Sequence, residues 1–184
     1  MSYTFTSPQK NYANNETLDD YPDMKENLDT IFEVSKTIFM VGWRHDSDHS
    51  FINYMLDKGK KVTIVEIFEP NIKNVPTGVK VIHGNVLTLP IEESFDLFLW
   101  QGGPEHVTKE EAAELFKKIQ SKFKYMIIES PNGYNFQDAL YGNIYEKHVS
   151  HWEPEDYEKN GFLWRPYAGI DRNAFLIGYK EIDC

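Results

Sequence analysis

Cysteine is almost missing from this chain. Cys184, the last of 184 residues, is the only one, which excludes an internal disulfide framework and a buried cysteine nucleophile and fits a reducing compartment. Long apolar runs are missing too: a stretch such as Phe95–Trp100 (FDLFLW) is broken by Asp96 and falls far short of a membrane span. The first ten residues, MSYTFTSPQK, hold no apolar signal core, so a cytoplasmic location is expected. Positive charge is scarce, with 19 Lys and Arg against 29 Asp and Glu. The net charge of −10 opposes non-specific binding to nucleic acid or to an anionic membrane surface. What remains is a composition of 41% hydrophobic and 15% aromatic residues, enough for one domain with a substantial core and no second one.

Residues 1–20 are polar and read as a loosely ordered arm before a single domain over 21–184. Apolar positions at helical spacing (Met24, Leu28, Ile31, Phe32) predict a first helix between Tyr21 and Ser35. Strands are predicted over Thr37–Val41, Lys61–Glu66, Val79–His83, Phe95–Trp100 and Tyr125–Glu129. One helix follows the first strand, on Phe51, Ile52, Met55 and Leu56, and ends at Gly59. Another spans Thr108–Lys122, opened by a Thr108–Glu111 capping box and striped by Ala112, Leu115, Phe116 and Ile119. Twelve residues between Glu66 and Val79 and eleven between His83 and Phe95 barely suffice for a crossover, so one-turn helices or bare loops are expected there. That economy predicts an apolar sheet edge near the third strand and, with it, a self-association surface. A last short helix starts at Glu153-Pro-Glu-Asp and stops at Gly161. Phe162–Tyr167 and Ala174–Lys180 then form an antiparallel hairpin.

Strands alternating with helices imply an α/β fold: a mostly parallel seven-stranded sheet, Rossmann-like, with helices on both faces and a C-terminal antiparallel hairpin. In such a sheet ligands bind beyond the carboxyl ends of the strands, so the loops starting near Gly42, Glu66, Gly84, Gln101 and Ser130 should cluster. The first of them, VGWRHDSDHS (Val41–Ser50), is unusual. It keeps one glycine and then supplies Trp43, Arg44, two His and two Asp. Ser47 or Asp48 suits the N-cap of the next helix. His45 and His49, four apart, with Asp46 and Asp48, form the competing metal-binding pattern; capping is the simpler reading, and no metal is assigned.

Several stretches together resemble the class I S-adenosylmethionine-dependent methyltransferases: VTIVEIFEPNIKN (Val62–Asn74), VIHGNVLTLP (Val81–Pro90) and FDLFLWQGGPEHVTKEEAAELFKKI (Phe95–Ile119). The run from Glu129 to Phe162, with Ser-Pro-Asn-Gly followed by Gly-Asn-x-Tyr-x-x-His-x-Ser, resembles a bacterial and archaeal branch. The resemblance implies S-adenosylmethionine (SAM) as cofactor and S-adenosylhomocysteine (SAH) as product. It implies cofactor contacts from Gly42, Trp43, Arg44, Glu66, Ile67, Asn85, Val86, Gln101 and Gly102. Glu66 would hold the ribose hydroxyls, with Glu69 second in line. Asn85 stands where the family usually has an Asp facing the adenine amino group. The family's first loop has glycine at three alternate positions; here Arg44 and Asp46 replace two. Arg44 could pair with the cofactor's carboxylate, and Asp46 or Asp48 with its ammonium. Glu105, His106 and His148 are the base candidates by location. Tyr134, Phe136, Tyr141, Tyr145 and Trp152 would either cover an acceptor or pack over the sheet end. QGGP after strand four is unlike the tract of adenine-amino methyltransferases, and a cytosine C5 enzyme would need a cysteine nucleophile. The expectation is methyl transfer to a small molecule. The alternatives are a catalytically silent binding or scaffold protein on the same fold, or another enzyme acting on SAM.

Overall fold

The computed structural model describes residues 17–44, 47, 49–168 and 174–182. Its centre is a sheet of β1 (Thr37–Val41), β2 (Lys61–Glu66), β3 (Lys80–His83), β4 (Phe95–Gln101), β5 (Phe123–Pro131), β6 (Leu163–Ala168) and β7 (Ala174–Glu181). The strand order is β3-β2-β1-β4-β5-β7-β6. The first five strands are parallel, and β7 runs antiparallel to both β5 and β6. This is the expected α/β architecture, hairpin included. Helices α1 (Pro22–Val34), α2 (Ser50–Asp57), α3 (Glu69–Ile72), α4 (Lys109–Ile119) and α5 (Pro154–Lys159) complete it.

Buried strands with both faces covered alternate their side chains between two cores. Ile38, Leu97, Leu99, Ile127 and Ile177 join Leu28, Ile31, Ile52 and Met55 of α1 and α2. Phe39, Phe98, Trp100, Met126, Ile128 and Leu176 join Ala112, Leu115 and Phe116 of α4 and Tyr157 of α5. The Thr108–Glu111 capping box forms as predicted, with Thr108 Oγ1 accepting the Glu111 N–H at 3.2 Å and Glu111 Oε2 accepting the Thr108 N–H at 2.9 Å. Tyr157 anchors α5 by donating its hydroxyl to Leu176 O at 2.9 Å, which fixes the far end of the long β5–α5 connection.

Two expectations are corrected. Residues 17–20 belong to the folded domain: they form a helical turn, and Leu18 is buried under α1. The β2–β3 crossover holds only the one-turn α3 and no helix is present between β3 and β4 among the described residues, yet the β3 edge is not an apolar surface. Val81 and Ile82 are half-buried, and the exposed large apolar residues gather instead between Tyr134 and Val149. The premise for self-association at β3 is therefore not met.

Asp96, the charge inside the most apolar strand, has a structural reason. Its Oδ2 accepts the N–H groups of Lys36 and Thr37, both at 2.9 Å, and its Oδ1 accepts Lys124 Nζ at 2.6 Å. One carboxylate thus fastens the starts of β1, β4 and β5. Burial pushes its pKa up, but the bonds from Lys124, Lys36 and Thr37 outweigh burial and hold it at about 2. A depressed carboxyl stabilises the fold above its unfolded pKa and loses that effect as pH falls through the folded value. Asp96→Asn is therefore expected to cost about 2 kcal/mol at pH 7. Urea unfolding should show the gap to wild type closing as pH drops from 4 towards 2.

Candidate active site

The strand order reverses direction between β1 and β4, so the loops leaving these two strands stand side by side at the carboxyl edge. Gly42 opens the first loop. Its N–H donates to Val65 O at 2.8 Å, and its φ of +83° is what demands glycine. A Cβ there would meet nothing within 4 Å, so open space lies above the turn.

Glu66, at the end of β2, is 4% exposed. Its Oε2 accepts the Trp43 N–H at 2.7 Å and its Oε1 the Phe68 N–H at 2.6 Å. One acid therefore ties the loop after β1 to the loop after β2, and the Asn71 side chain of α3 bonds it as well. Burial raises its pKa against the bonds from Phe68 and Trp43, and the charge of Glu146 adds to the rise. Glu69 is exposed in the first turn of α3. The Trp43 side chain is buried in the α1–α2 core beside the His49 ring, 5.6 Å between centroids, while Arg44 is exposed. Ser47 does not cap α2: its Oγ accepts the Arg44 N–H at 3.2 Å, and His49 takes the N-cap position without a side-chain bond. His45, Asp46 and Asp48 lie outside the described residues, and with them the metal reading of this loop and the ammonium pairing.

After β3, Asn85 Oδ1 accepts the Leu87 N–H at 2.9 Å, so this side chain shapes its own turn and retains one acceptor site. Val86 is buried in the core. Ile67 is half-buried, and its carbonyl faces His83 Nε2 at 3.1 Å. After β4, Gln101 Nε2 donates to Glu129 Oε2 at 3.3 Å, and the Gly102 N–H to Glu129 O at 3.0 Å. Gly103 is structural. A Cβ on it would collide with the Trp100 indole tucked beneath the turn Pro104–His106.

That turn carries the first two base candidates, and the β5–α5 segment returns to supply the third. The N–H groups of Val149 and Ser150 donate to Glu105 O at 2.9 and 3.1 Å, which seats His148 over the turn. The rings of His106 and His148 lie 4.9 Å apart edge to face, and His148 Nε2 is 4.0 Å from Glu105 Oε1. The three residues each offer one ligand atom, and these atoms all lie within 4.8 Å of one another. The structure thus brings together all three residues singled out from the sequence. Their protonation differs. Burial pushes Glu105 up to about 8, with the charges of Glu129 and Glu146 acting the same way. Glu105 is therefore a neutral acid at pH 7 and no base. Burial holds His106 down to about 4, assisted by His148 and Arg44 against the carbonyls of Lys147 and Gly102. His148 Nδ1 faces Asn135 O at 2.7 Å; a carbonyl only accepts, so that nitrogen carries a proton and Nε2 is the ring nitrogen turned towards Glu105.

The aromatic residues of 132–152 divide. Trp152 is buried and packs over the sheet end, next to Phe116 and Tyr157. Tyr134, Phe136, Tyr141 and Tyr145 are 50–79% exposed. Tyr141 has a φ of +53° and Gly142 one of +75°, a tight turn closed by the Asn143 N–H to Leu140 O bond at 2.7 Å. Sequence reading passed over Glu129 and Glu146 as site groups. Glu129 was legible as the last residue of a predicted strand; Glu146 had only its place two residues before His148. A second groove, between α1 and α2 and lined by Lys25, Phe32, Phe51, Tyr54 and Lys60, contains none of these groups.

No family model matches the sequence, and no curated protein is significantly similar to it. Solved structures match the whole sheet. A SAM-dependent methyltransferase from Archaeoglobus fulgidus is 19% identical, with a TM-score of 0.58 over 89% of this chain and 95% of that one. The N-terminal domain of EvdMO1, solved with SAH bound, is 14% identical, with a TM-score of 0.62 over 88% and 80%. The N-methyltransferase NodS from Bradyrhizobium japonicum WM9 is 10% identical, with a TM-score of 0.62 over 91% and 100%. At such identities the likeness establishes the fold: this chain has the fold of the class I SAM-dependent methyltransferases, as its sequence resemblance implied.

The protonation of Glu105 has a signed consequence for stability. Between pH 6.5 and 8 the folded protein keeps a proton on Glu105 that the unfolded chain has lost, so stability falls as pH rises. His106 acts in the opposite direction only below 6.5, where the unfolded imidazole is charged and the folded one is not. Denaturant unfolding in chelator-containing buffer should show wild type losing about 1–2 kcal/mol more than Glu105→Gln across pH 6.5–8.

Proposed function

We propose that this chain transfers the methyl group of SAM to a small-molecule acceptor. The observation that carries the reading is a meeting at one edge of the sheet. The open turn at Gly42 and the buried Glu66 stand at the carboxyl edge that also bears the Glu105–His106–His148 group. SAM, when bound, supplies a methyl group already activated by the sulfonium charge. The residues present fit it. Glu66 is a buried carboxyl at the end of β2 able to accept from a ribose hydroxyl. Gly42 leaves room above its backbone, and exposed Arg44 suits an amino-acid carboxylate. Asn85, Gln101 and Gly102 line the same edge. Val86 and Trp43 contribute through buried side chains that hold their loops, and Ile67 through the backbone next to Glu66.

On the acceptor side, His148 Nε2 is the group able to take a proton, and it is needed only if the acceptor carries one. The exposed rings of Tyr134, Phe136, Tyr141 and Tyr145 offer an apolar surface to a small molecule. Glu129 and Glu146 add negative charge beside the site, which with the net charge of −10 disfavours a polyanionic substrate. One feature favours the second reading, a binding protein without catalysis: Arg44 stands where the family's loop has a glycine.

Calorimetric titration with SAM and with SAH separates the two. Saturable binding of both is expected. Arg44→Ala should weaken it about tenfold, the worth of one charge-assisted hydrogen bond. Glu66→Ala should abolish it, with circular dichroism confirming that the two loops it joins have not unfolded the sheet. No heat from either ligand, together with an unchanged Tm, would leave the binding-protein reading.

A further inference from the structure

We propose that Glu105, His106 and His148 bind one divalent first-row transition cation, and that this ion holds the oxygen of the methyl acceptor; the second half rests on the methyl-transfer reading. The 4.0 Å between His148 Nε2 and Glu105 Oε1 is too long for a hydrogen bond. Two ligand atoms on one tetrahedral or octahedral ion, at bonds of about 2.0–2.2 Å, stand about 3.0–3.5 Å apart, so this pair has to close by about 0.5–1 Å. All three ligand atoms fall within 4.8 Å of one another, so closing on an ion needs side-chain shifts of up to about an ångström. No other group of three His, Cys, Asp or Glu gathers this way among the described residues.

Two independent features point to a ligand. Glu105 is 3% exposed, and its Oε2 has no hydrogen-bond partner among the described residues. A buried carboxyl oxygen left open is costly unless a cation or a proton meets it. The His148 imidazole is also braced from behind, its Nδ1 against Asn135 O at 2.7 Å, while His106 meets the carbonyls of Lys147, 3.2 Å from Nδ1, and of Gly102. Metal-bound histidines are held this way, the outer nitrogen donating to a carbonyl so that the inner lone pair is aimed and made more basic. The negative charges of Glu129 and Glu146 reach Glu105 and oppose the positive charge that Arg44 brings to His106.

Two imidazoles and one carboxylate select Mn²⁺, Fe²⁺, Co²⁺ or Zn²⁺ over Mg²⁺ and Ca²⁺, which prefer all-oxygen sites. Three protein ligands leave positions open for a substrate. A hydroxyl of the acceptor bound there is acidified and gives its proton to solvent. Its oxygen then forms the new C–O bond as the methyl C–S bond breaks, the bonding pair staying on sulfur and SAH leaving as a neutral thioether. His148 is in that case a ligand rather than the base, and the acceptor is an alcohol or phenol.

The test is Mn²⁺ binding by the chelator-treated full chain, followed by the loss of the free-ion EPR signal. One equivalent should bind saturably, and pulsed EPR of the bound ion should show nitrogen coupling from imidazole. Glu105→Gln and His148→Ala, each checked for an unchanged Tm, should weaken binding by more than about tenfold. His151→Ala, outside the cluster, should leave it unchanged. Absence of binding, binding without nitrogen coupling, or binding lost instead in His49→Ala would overturn the proposal. SAH titration of the metal-free protein keeps the two readings apart. SAH binding without Mn²⁺ binding removes only the metal site. Mn²⁺ binding without SAH binding leaves the metal site and removes methyl transfer.

Discussion

A carboxyl group buried at Glu105, with one oxygen unpartnered, constrains everything around it. An ionised carboxylate cannot rest in such a place alone. It must carry a proton, as its raised pKa says of the metal-free protein, or face a cation. The same residue organises the backbone. Its carbonyl receives Val149 and Ser150 N–H, which bring the β5–α5 segment down onto the turn after β4 and put His148 against His106. Remove that docking and the exposed rings between Tyr134 and Tyr145 lose the frame that holds them near the site. The side chain and the main chain of one residue thus serve chemistry and architecture together.

Glu66 plays the matching part at the loops after β1 and β2. Its two oxygens join the loop after β1 to the loop after β2, extending the pairing of the two strands. This explains how a loop short of glycine keeps a usable shape. Gly42 supplies the one left-handed residue, Trp43 drives its side chain into the core, and the Trp43 N–H is fixed by Glu66 rather than by a ligand. Arg44 is then displayed at the surface, where its charge reaches His106. The Glu66 and Glu105 ends of this edge are electrostatically linked through Glu146, which acts on both.

Most of the fold was legible in the sequence because its signals are local. Strand alternation, the Thr108–Glu111 box and the spacing of Leu115, Phe116 and Ile119 each fix an element without reference to the rest. The carboxyl edge follows from the topology, and so did the gathering of Gly42, Glu66, Asn85 and Gln101. What was not legible depends on distant backbone bonds. Nothing near Asp96 announces that it fastens three strands; its partners are Lys36, Thr37 and Lys124. Ser47 looked like an N-cap because Ser favours that position, but the loop used its hydroxyl for Arg44 N–H first. Leu18 sits in a polar stretch, and only its burial beneath α1 shows that the domain starts before Tyr21. His106 and His148 were each named as candidates, yet their meeting rests on two N–H groups finding the carbonyl of Glu105.

The most direct measurement of this account is a crystal structure of the protein grown with SAH and Mn²⁺. The account places the ribose at Glu66 and the ion between Glu105, His106 and His148, with the SAH sulfur facing it across an open space. SAH lodged in the groove between α1 and α2, or an ion held by the His49 loop with Glu105 still buried and unpartnered, would contradict it.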